Sequence, residues 1–300
     1  MPIHHNLIKF LYHPHKLFKS IYDSSKNDLR IVLYHDIPKN QQYLFYKQLI
    51  WLKQYWNFID PDDFFMMMKG EKPIVGRNLL ITFDDGFYSN RQVAEFILKP
   101  LKIKGIFFIV PKFIELHNTN FLADFVYSNI FPNAKYESRH SNWQSMSWDD
   151  ITWLLNNGHT IGSHTFSHLR LSDIKSSQEL EYEIVQSKNI IKERLGILVD
   201  NFAYTFGDLD SFNNNALQIA SMHYRYIYSG LRGSNHNKLS SYCIRRDAAA
   251  GQDKNLNYVL YNNKLLAGFL NGLADTKYYR DLKRFDRWAY SLQRSSKKDI

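Results

Sequence analysis

Short apolar segments alternate with longer segments of helical character along most of this chain. The apolar segments are rich in β-branched and aromatic residues, as buried strands are. They predict strands at residues 30–34, 79–83, 105–110, 159–163, 201–206, 224–229 and 241–245. The helices predicted between them cover residues 43–55, 89–98, 148–156 and 176–195. Strands that are apolar on both faces and separated by helices indicate a parallel sheet covered by helices. About seven such units favour a barrel-like α/β fold over a short open sheet.

The two ends of the chain and one internal segment depart from this alternation. Residues 1–25 are predicted to form an N-terminal arm, residues 26–254 a single domain, and residues 255–300 a basic helical extension. A segment rich in Asn, Ser and Tyr at residues 113–147 is interpreted as an insertion over the functional site rather than as core. In the extension, four apolar residues are spaced to line one helix face: Leu282, Phe285, Ala289 and Leu292.

The composition places the chain among globular proteins that can build a large core. Of its 300 residues, 44% are hydrophobic and 16% are aromatic, which excludes a disordered or low-complexity chain. The single cysteine, Cys243, excludes an intrachain disulfide framework. No apolar segment approaches a signal-peptide core or the ~18 residues of a membrane span, so we expect a cytoplasmic protein.

A net charge of +9 and a pI near 9.3 raise the question of an anionic partner. The excess of Lys and Arg is concentrated toward both ends of the chain. It is not accompanied by an RNA-binding aromatic signature, a helix-turn-helix pattern or a Cys/His finger, so we do not expect nucleic-acid binding. The amphipathic basic extension suggests instead a peripheral contact with the inner face of an anionic membrane. The alternative is that its apolar face packs on the barrel.

Two short motifs supply groups that could bind a divalent metal ion and transfer a proton. TFDDG at residues 82–86 ends a predicted buried strand, where adjacent carboxylates are unfavourable unless a cation or hydrogen bonds compensate for their desolvation. Because neighbouring side chains on a strand point to opposite sides, one of Asp84 and Asp85 would bind the ion and the other would accept a proton. HTFSH at residues 164–168 places two imidazoles at i and i+4, which share one face if they lie on a helical turn. The alternatives are an Asp-Asp-Gly turn and two unconnected histidines.

The candidate residues follow the C-terminal ends of predicted strands. They are His35, Asp84, Asp85, His164 and residues 204–206. Because α/β barrels place their chemistry at that rim, we expect these residues to converge. Three protein ligands with room for water are what hydrolytic metal chemistry needs.

The motifs TFDDG, HTFSH and FAYTFG (residues 202–207) resemble the first three motifs of the polysaccharide deacetylases, carbohydrate esterase family 4 with the NodB-homology domain. The resemblance extends over about residues 30–247. It implies a distorted (β/α) barrel in which Asp85, His164 and His168 bind a divalent metal ion, Zn²⁺ or alternatively Co²⁺, Ni²⁺ or Mn²⁺.

The same resemblance implies roles for residues around the ion. Asp84 would be the general base, and the backbone N–H of Tyr204 would help to stabilise the oxyanion. Thr205 and Phe206 are predicted to bind substrate. Arg246 has two open interpretations, a partner that orients Asp84 or an ordinary surface cation.

Two features depart from the family pattern. Thr205 stands where the family usually has a proline, which would fix φ and shape the loop. The family often has a late histidine as general acid, yet no histidine follows His236. The sequence LYHD at residues 33–36 instead resembles a circularly permuted branch, the poly-N-acetylglucosamine deacetylases, in which an early Tyr-His dipeptide supplies that group. This resemblance assigns His35 as the general acid; the alternative is a histidine that simply ends a strand.

The function expected from these motifs is the removal of an N-acetyl or other N-acyl group from an amino sugar in a polysaccharide or a lipid-linked saccharide. One alternative is a non-catalytic carbohydrate-binding relative that keeps the metal site but not turnover. Another is a glycoside hydrolase, which would need two carboxyl groups about 5–9 Å apart and no metal. The adjacent carboxylates and the two histidines argue against the second alternative.

Overall fold

The structure is a computed structural model that describes residues 26–132, 143–249 and 262–296. The predicted arm at residues 1–25 lies outside the described residues.

A parallel sheet forms the centre of the molecule. Its strands are Asp28–Tyr34 (β1), Asn57–Phe58 (β2), Arg77–Phe83 (β3), Gly105–Ile109 (β4), Thr160–Ser163 (β5), Asn201–Ala203 (β6), Tyr226–Tyr228 (β7) and Asp247–Ala248 (β8). Seven of them follow the order β7-β6-β5-β4-β3-β1-β8, and β2 pairs with β3 off this path. All these pairs are parallel, and every residue of β1 and β3 is buried. The predicted sheet of about seven strands, apolar on both faces, is therefore confirmed.

The two edges of this sheet are joined through one chain segment. Ile244 exchanges backbone hydrogen bonds of 2.9 Å with Ile227 and Ser229 beside β7. A few residues later β8 pairs with β1, and the Ala249 N–H donates to the Leu33 carbonyl. The strand predicted at residues 241–245 is thus a single bridge at Ile244 followed by a two-residue strand. The sheet curls into the distorted barrel that the sequence predicts.

Helices surround the sheet. They cover Gln42–Leu52 (α1), Pro61–Lys69 (α2), Tyr88–Val93 (α3), Lys99–Leu101 (α4), Pro111–Glu115 (α5), Leu122–Phe125 (α6), Trp148–Asn156 (α7), Ser177–Glu181 (α8), Ser187–Leu195 (α9), Asn214–His223 (α10), Asn263–Leu270 (α11) and Tyr279–Ser296 (α12). Three π-helical segments continue α3, α6 and α8: Ala94–Leu98, Val126–Ile130 and Tyr182–Gln186. Short 3₁₀ turns lie at Lys39–Gln41 and Asp275–Tyr278. Local sequence explains the ends: Ser147 and Asp150 form a capping box at the start of α7, and Gly196 ends α9 in the left-handed region.

The C-terminal helices pack against the barrel. Leu282, Phe285 and Ala289 of α12 are buried in the main hydrophobic core. Arg30 of β1 donates to both carboxylate oxygens of Asp275, at 3.1 and 2.7 Å, and so joins the sheet to the segment between α11 and α12. The apolar face of the extension therefore packs on the barrel, as the alternative interpretation expects, and the predicted contact of this face with a membrane has no support. Among the described residues, no helix is both long and apolar enough to span a bilayer.

The described part of the excursion at residues 113–147 builds a second, smaller hydrophobic cluster beside the sheet. This cluster includes Phe113, Leu122, Phe125, Val126 and Ile130. Together they hold the π-helical segment Val126–Ile130 against the rim where the candidate residues lie.

Candidate metal centre

The two adjacent aspartates follow the end of β3, where the chain makes a sharp turn. The Asp84 N–H still donates to the Tyr34 carbonyl at 3.0 Å, as a continuation of the sheet. Asp85 has a φ of 79°, in the left-handed region that residues other than glycine rarely adopt. Such a conformation costs on the order of 1–3 kcal/mol and is found mainly where function requires it. The turn separates the two side chains, so that each carboxylate has different neighbours.

The two histidines lie on a loop, which contradicts the predicted helical turn. The loop follows β5 and contains two left-handed residues, Thr165 (φ 61°) and His168 (φ 60°). Thr165 Oγ1 accepts a hydrogen bond of 3.0 Å from the His168 N–H and closes the loop. These two left-handed residues, rather than helical periodicity, bring the imidazoles within 5.2 Å of each other.

Asp85, His164 and His168 converge on one buried point. Each offers one ligand atom, and these atoms lie within 4.8 Å of one another. The Nε2 atoms of His168 and His164 are 3.3 and 3.6 Å from Asp85 Oδ1. Neither carboxylate oxygen of Asp85 accepts a well-formed hydrogen bond from the described residues, although both are buried. Two imidazole nitrogens and a carboxylate that leave further positions open are a donor set typical of catalytic zinc, so these residues fit a divalent metal ion.

The charge states of Asp85 and His164 also suit metal binding. Burial alone would raise the pKa of Asp85, but the imidazoles of His168, His35 and His164 outweigh it and lower the pKa to about 2. Burial lowers the pKa of His164 to about 4, against the opposing effect of Asp84. Burial also acts to lower the pKa of His168, but the contact with Asp85 raises it overall. Asp85 is therefore ionised and His164 neutral at pH 7, as metal ligands must be.

Backbone carbonyl groups orient both imidazole rings. Nδ1 of His164 lies 2.8 Å from the Ala203 carbonyl, and Nδ1 of His168 lies 2.8 Å from the Asn129 carbonyl. With a proton on Nδ1 donated to each carbonyl, the Nε2 lone pairs point toward Asp85. This is the usual arrangement around a metal-binding histidine.

The sequence alone did not reveal that Asn129 and Glu183 support this loop. The buried Glu183 carboxylate accepts two hydrogen bonds from Ser167, from its N–H at 2.9 Å and its hydroxyl at 2.5 Å. Asn129 Nδ2 donates to the Ser167 carbonyl at 2.8 Å. A signal for Glu183 was present, because it lies three residues after Leu180 on the apolar face of its helix. Asn129 gave no such signal.

Asp84 is paired with Arg246. The guanidinium donates two hydrogen bonds to the Asp84 carboxylate, at 2.7 and 2.9 Å, and a third to the Ser229 carbonyl at 2.9 Å. Arg246 is only 1% exposed, so it is not a surface cation. Asp84 Oδ2 lies 3.8 Å from His164 Nε2, which places this carboxylate beside the candidate metal centre.

His35 follows the end of β1 at the same rim and is partly exposed. Its carbonyl accepts a hydrogen bond of 2.9 Å from Asn90 Nδ2. Its imidazole is one of the charges that lower the pKa of Asp85, so the ring lies near the centre.

Residues 204–206 form the third part of the rim. The Tyr204 N–H donates to the Tyr228 carbonyl at 3.0 Å, which makes it part of the sheet and corrects its predicted role as an oxyanion donor. Thr205 is completely buried and its hydroxyl donates to the Leu169 carbonyl, so the prediction that it contacts substrate is also wrong. Phe206 is 38% exposed, and its ring centroid lies 5.0 Å from that of His168.

The family model for polysaccharide deacetylase matches residues 72–227, which include Asp84, Asp85, His164 and His168. The chain belongs to the polysaccharide deacetylase family. No curated protein matches its sequence.

Several solved structures share the fold. The structure of IcaB from Ammonifex degensii superposes with a TM-score of 0.62 at 18% identity, covering 83% of this chain and 99% of that one. The Streptococcus pyogenes deacetylase PplD in complex with acetate superposes with a TM-score of 0.60 at 17% identity, covering 81% of this chain and 98% of that one. The BpsB deacetylase domain from Bordetella bronchiseptica superposes with a TM-score of 0.57 at 14% identity, covering 74% of this chain and 96% of that one. At these identities the likeness concerns the fold, so the resemblance to the circularly permuted branch stays a prediction.

Proposed function

We propose that this polysaccharide deacetylase family member hydrolyses the N-acetyl group of an amino sugar in a polysaccharide or lipid-linked saccharide. The observation that carries the proposal is the buried convergence of Asp85, His164 and His168 beside a second, differently held carboxylate. We propose Zn²⁺ as the resident ion, because two imidazoles and one carboxylate match its preferred catalytic ligands. A bound divalent ion would polarise the acyl carbonyl and lower the pKa of a water molecule.

Asp84 is proposed as the general base. Its carboxylate lies beside the centre but is held by Arg246 rather than by the histidines. It can therefore accept the proton of the attacking water while Asp85 remains a ligand. The two hydrogen bonds from Arg246 fix its orientation, which proton transfer in a defined geometry requires.

His35 is proposed as the general acid. Hydrolysis of an amide releases an amine, which must gain a proton as the C–N bond breaks. His35 is partly exposed and close enough to Asp85 to affect its pKa, as a group that meets the leaving amine should be. An imidazole can carry this proton near neutral pH.

The Phe206 N–H is our candidate for the oxyanion donor in place of Tyr204. Among the described residues it has no hydrogen-bond partner, and Phe206 adopts a left-handed φ of 62° next to the metal-binding loop. Its partly exposed ring offers a surface on which a sugar ring could pack. The substrate remains an N-acetylated amino sugar in this proposal, and the cytoplasmic location stays a prediction.

Metal content and acetate release test the proposal together. The purified protein should hold about one divalent ion per chain, as in a mononuclear catalytic site. It should also release acetate from N-acetylglucosamine oligomers in a reaction that a chelator abolishes and Zn²⁺ restores. Asp84→Asn should keep the ion and lose acetate release, whereas His164→Ala should lose both.

Each other outcome has a definite meaning. Bound ion with glycan binding but no acetate would favour the non-catalytic relative. Acetate release that persists in Asp84→Asn would refute the assignment of the base. Failure to bind any divalent ion would refute the proposed function.

A further inference from the structure

Two loops at the rim are joined by four contacts that involve their side chains. The metal-binding loop is residues 164–170, and the aromatic loop is residues 204–208. The ring of Phe206 lies 5.0 Å from that of His168. Thr205 Oγ1 donates to the Leu169 carbonyl at 2.6 Å. Arg170, the residue after Leu169, forms two hydrogen bonds of 3.2 Å with Asp208. Its guanidinium also lies 5.1 Å from the centroid of the Phe206 ring.

These contacts differ in how strongly they restrain the two loops. The Arg170 and Asp208 side chains are 33% and 52% exposed, and ion pairs this exposed restrain a loop weakly. The Thr205 hydroxyl is completely buried, and its bond to the Leu169 carbonyl is short. The buried hydrogen bond is therefore the contact most able to fix the distance between the two loops.

The position of this bond in the chain connects it to the site. Leu169 directly follows His168, a proposed metal ligand with φ of 60°. Thr205 directly precedes Phe206, the proposed oxyanion donor with φ of 62°. His168 and Phe206 thus both have left-handed backbone conformations, which are strained and persist only when neighbouring groups enforce them. One hydrogen bond thus joins the residue after the ligand to the residue before the donor.

We propose that Thr205 is a positioning residue whose hydroxyl sets the Phe206 N–H relative to the metal-binding loop. The proposal rests on the proposed function. A proline at this position would restrain the aromatic loop through its own φ. Thr205 restrains the loop from outside, through a bond to the neighbouring loop, and so replaces a local restraint by a tertiary one. The departure from the family pattern is then compatible with an active site.

Substitutions that change only the hydroxyl test this role. Thr205→Val keeps the shape and removes the donor, whereas Thr205→Ser keeps the donor and removes the methyl group. A small displacement of catalytic groups lowers rates by about 10²-fold, and loss of support for a metal ligand weakens affinity by about 10-fold or more. We therefore expect Thr205→Val to lower kcat by about 10- to 100-fold with KM within about twofold, and to weaken Zn²⁺ binding by about 10-fold. Thr205→Ser should keep kcat and the Zn²⁺ affinity within about threefold of the wild-type values.

Two control variants separate this role from general stability. Thr152 on α7, outside both loops, donates from its hydroxyl to the Trp148 carbonyl at 2.9 Å. Thr152→Val should leave kcat and Zn²⁺ affinity unchanged. Asp208→Asn weakens the exposed contact between the same two loops and should change kcat by less than about threefold, since exposed pairs contribute little.

The measurement is steady-state acetate release with Zn²⁺ affinity from competition with a chelating dye, well below the melting temperature of each variant. If wild type is active and Thr205→Val matches it in kcat and Zn²⁺ affinity, the proposal is wrong. It is also wrong if Thr205→Ser is as impaired as Thr205→Val. Should Thr205→Val fail to fold, Thr205→Ala against Thr205→Ser gives the same comparison. A wild type that neither binds Zn²⁺ nor releases acetate would refute the proposed function instead.

Discussion

Arg246 and Asp84 are separated by 162 residues and meet through two hydrogen bonds of 2.7 and 2.9 Å inside the protein. Both side chains are almost completely buried. Burial of a charged pair is favourable only if the geometry is good and the remaining polar atoms are satisfied. The third hydrogen bond of Arg246, to the Ser229 carbonyl, meets that condition. The pair therefore serves both the stability of the fold and the orientation of the proposed base.

Replacement of Arg246 should damage stability and activity together. Arg246→Met leaves the Asp84 carboxylate buried without its partner, which should lower the free energy of unfolding by about 3–5 kcal/mol. Arg246→Lys keeps the charge but not the paired geometry, so its loss should be intermediate. Urea unfolding and acetate release measure both effects. The exposed Arg225, 3.7 Å from Asp200, provides the control, and Arg225→Met should change stability by less than about 0.5 kcal/mol.

The role of His35 can be separated from metal binding by the choice of leaving group. His35→Asn should keep the metal ion and lower kcat on N-acetylglucosamine oligomers by about 10²- to 10⁴-fold, since the leaving amine needs a proton. Hydrolysis of 4-nitrophenyl acetate releases a stable phenolate that needs no proton, so its rate should fall much less. Equal losses on both substrates would contradict the assignment of His35 as the acid.

Glu183 should control metal affinity without contacting the ion. Glu183→Ala removes both acceptors of Ser167, and the metal-binding loop loses the support that holds His168 in its left-handed conformation. We expect Zn²⁺ affinity to fall by about 10- to 100-fold, as for other groups that orient metal ligands. Glu183→Gln can still accept from the Ser167 N–H and should retain most of the affinity. Competition with a chelating dye would show whether the two variants differ; identical affinities would exclude this role.

Phe285 tests whether the C-terminal extension is part of the barrel. Its fully buried ring lies 5.2 Å from that of Phe212 and 6.3 Å from that of Tyr204, the first residue of the aromatic loop. Phe285→Ala should lower the free energy of unfolding by about 3–5 kcal/mol. Tyr279 on the same helix is 57% exposed, so Tyr279→Ala should have an effect below about 0.5 kcal/mol. Similar unfolding curves for the two variants would mean that the helix does not pack as described.

His159 should make stability depend on pH. Burial, with a smaller contribution from Lys104, lowers its pKa from 6.5 to about 4, and its Nδ1 accepts a hydrogen bond from the Gly105 N–H. The unfolded chain takes up the proton below pH 6.5, whereas the folded protein takes it up only near pH 4. The neutral His159 therefore contributes on the order of 3 kcal/mol to the free energy of unfolding above pH 6.5, and this contribution is lost as the pH falls toward 4.

His159→Asn keeps an acceptor for Gly105 and does not titrate. The difference in unfolding free energy between wild type and His159→Asn, measured by urea unfolding from pH 7 to pH 4, isolates this contribution from the carboxylates that titrate in the same range. The wild-type curve should fall relative to that of the variant. Parallel curves would show that the folded protein accommodates the charged imidazole.

The sequence by itself determined the fold class and the central chemical groups. Apolar segments such as residues 79–83 predict buried parallel strands because strand burial is encoded in consecutive residues. The same local order places Asp84, Asp85 and His164 directly after strand ends, and parallel strands bring their ends to one rim. No long-range contact had to be known for these conclusions.

Tertiary structure decided how these groups are held. The sequence left Arg246 undecided because its partner is 162 residues away. It predicted a helical turn at residues 164–168, because an i, i+4 pair looks the same whether a helix or two left-handed residues align it. It assigned the oxyanion donor to Tyr204, whose N–H donates to the carbonyl of Tyr228 on the next strand along the chain, a pairing that only the tertiary structure shows. It left the apolar face of α12 open to two partners, since periodicity shows that a face must be covered but not what covers it.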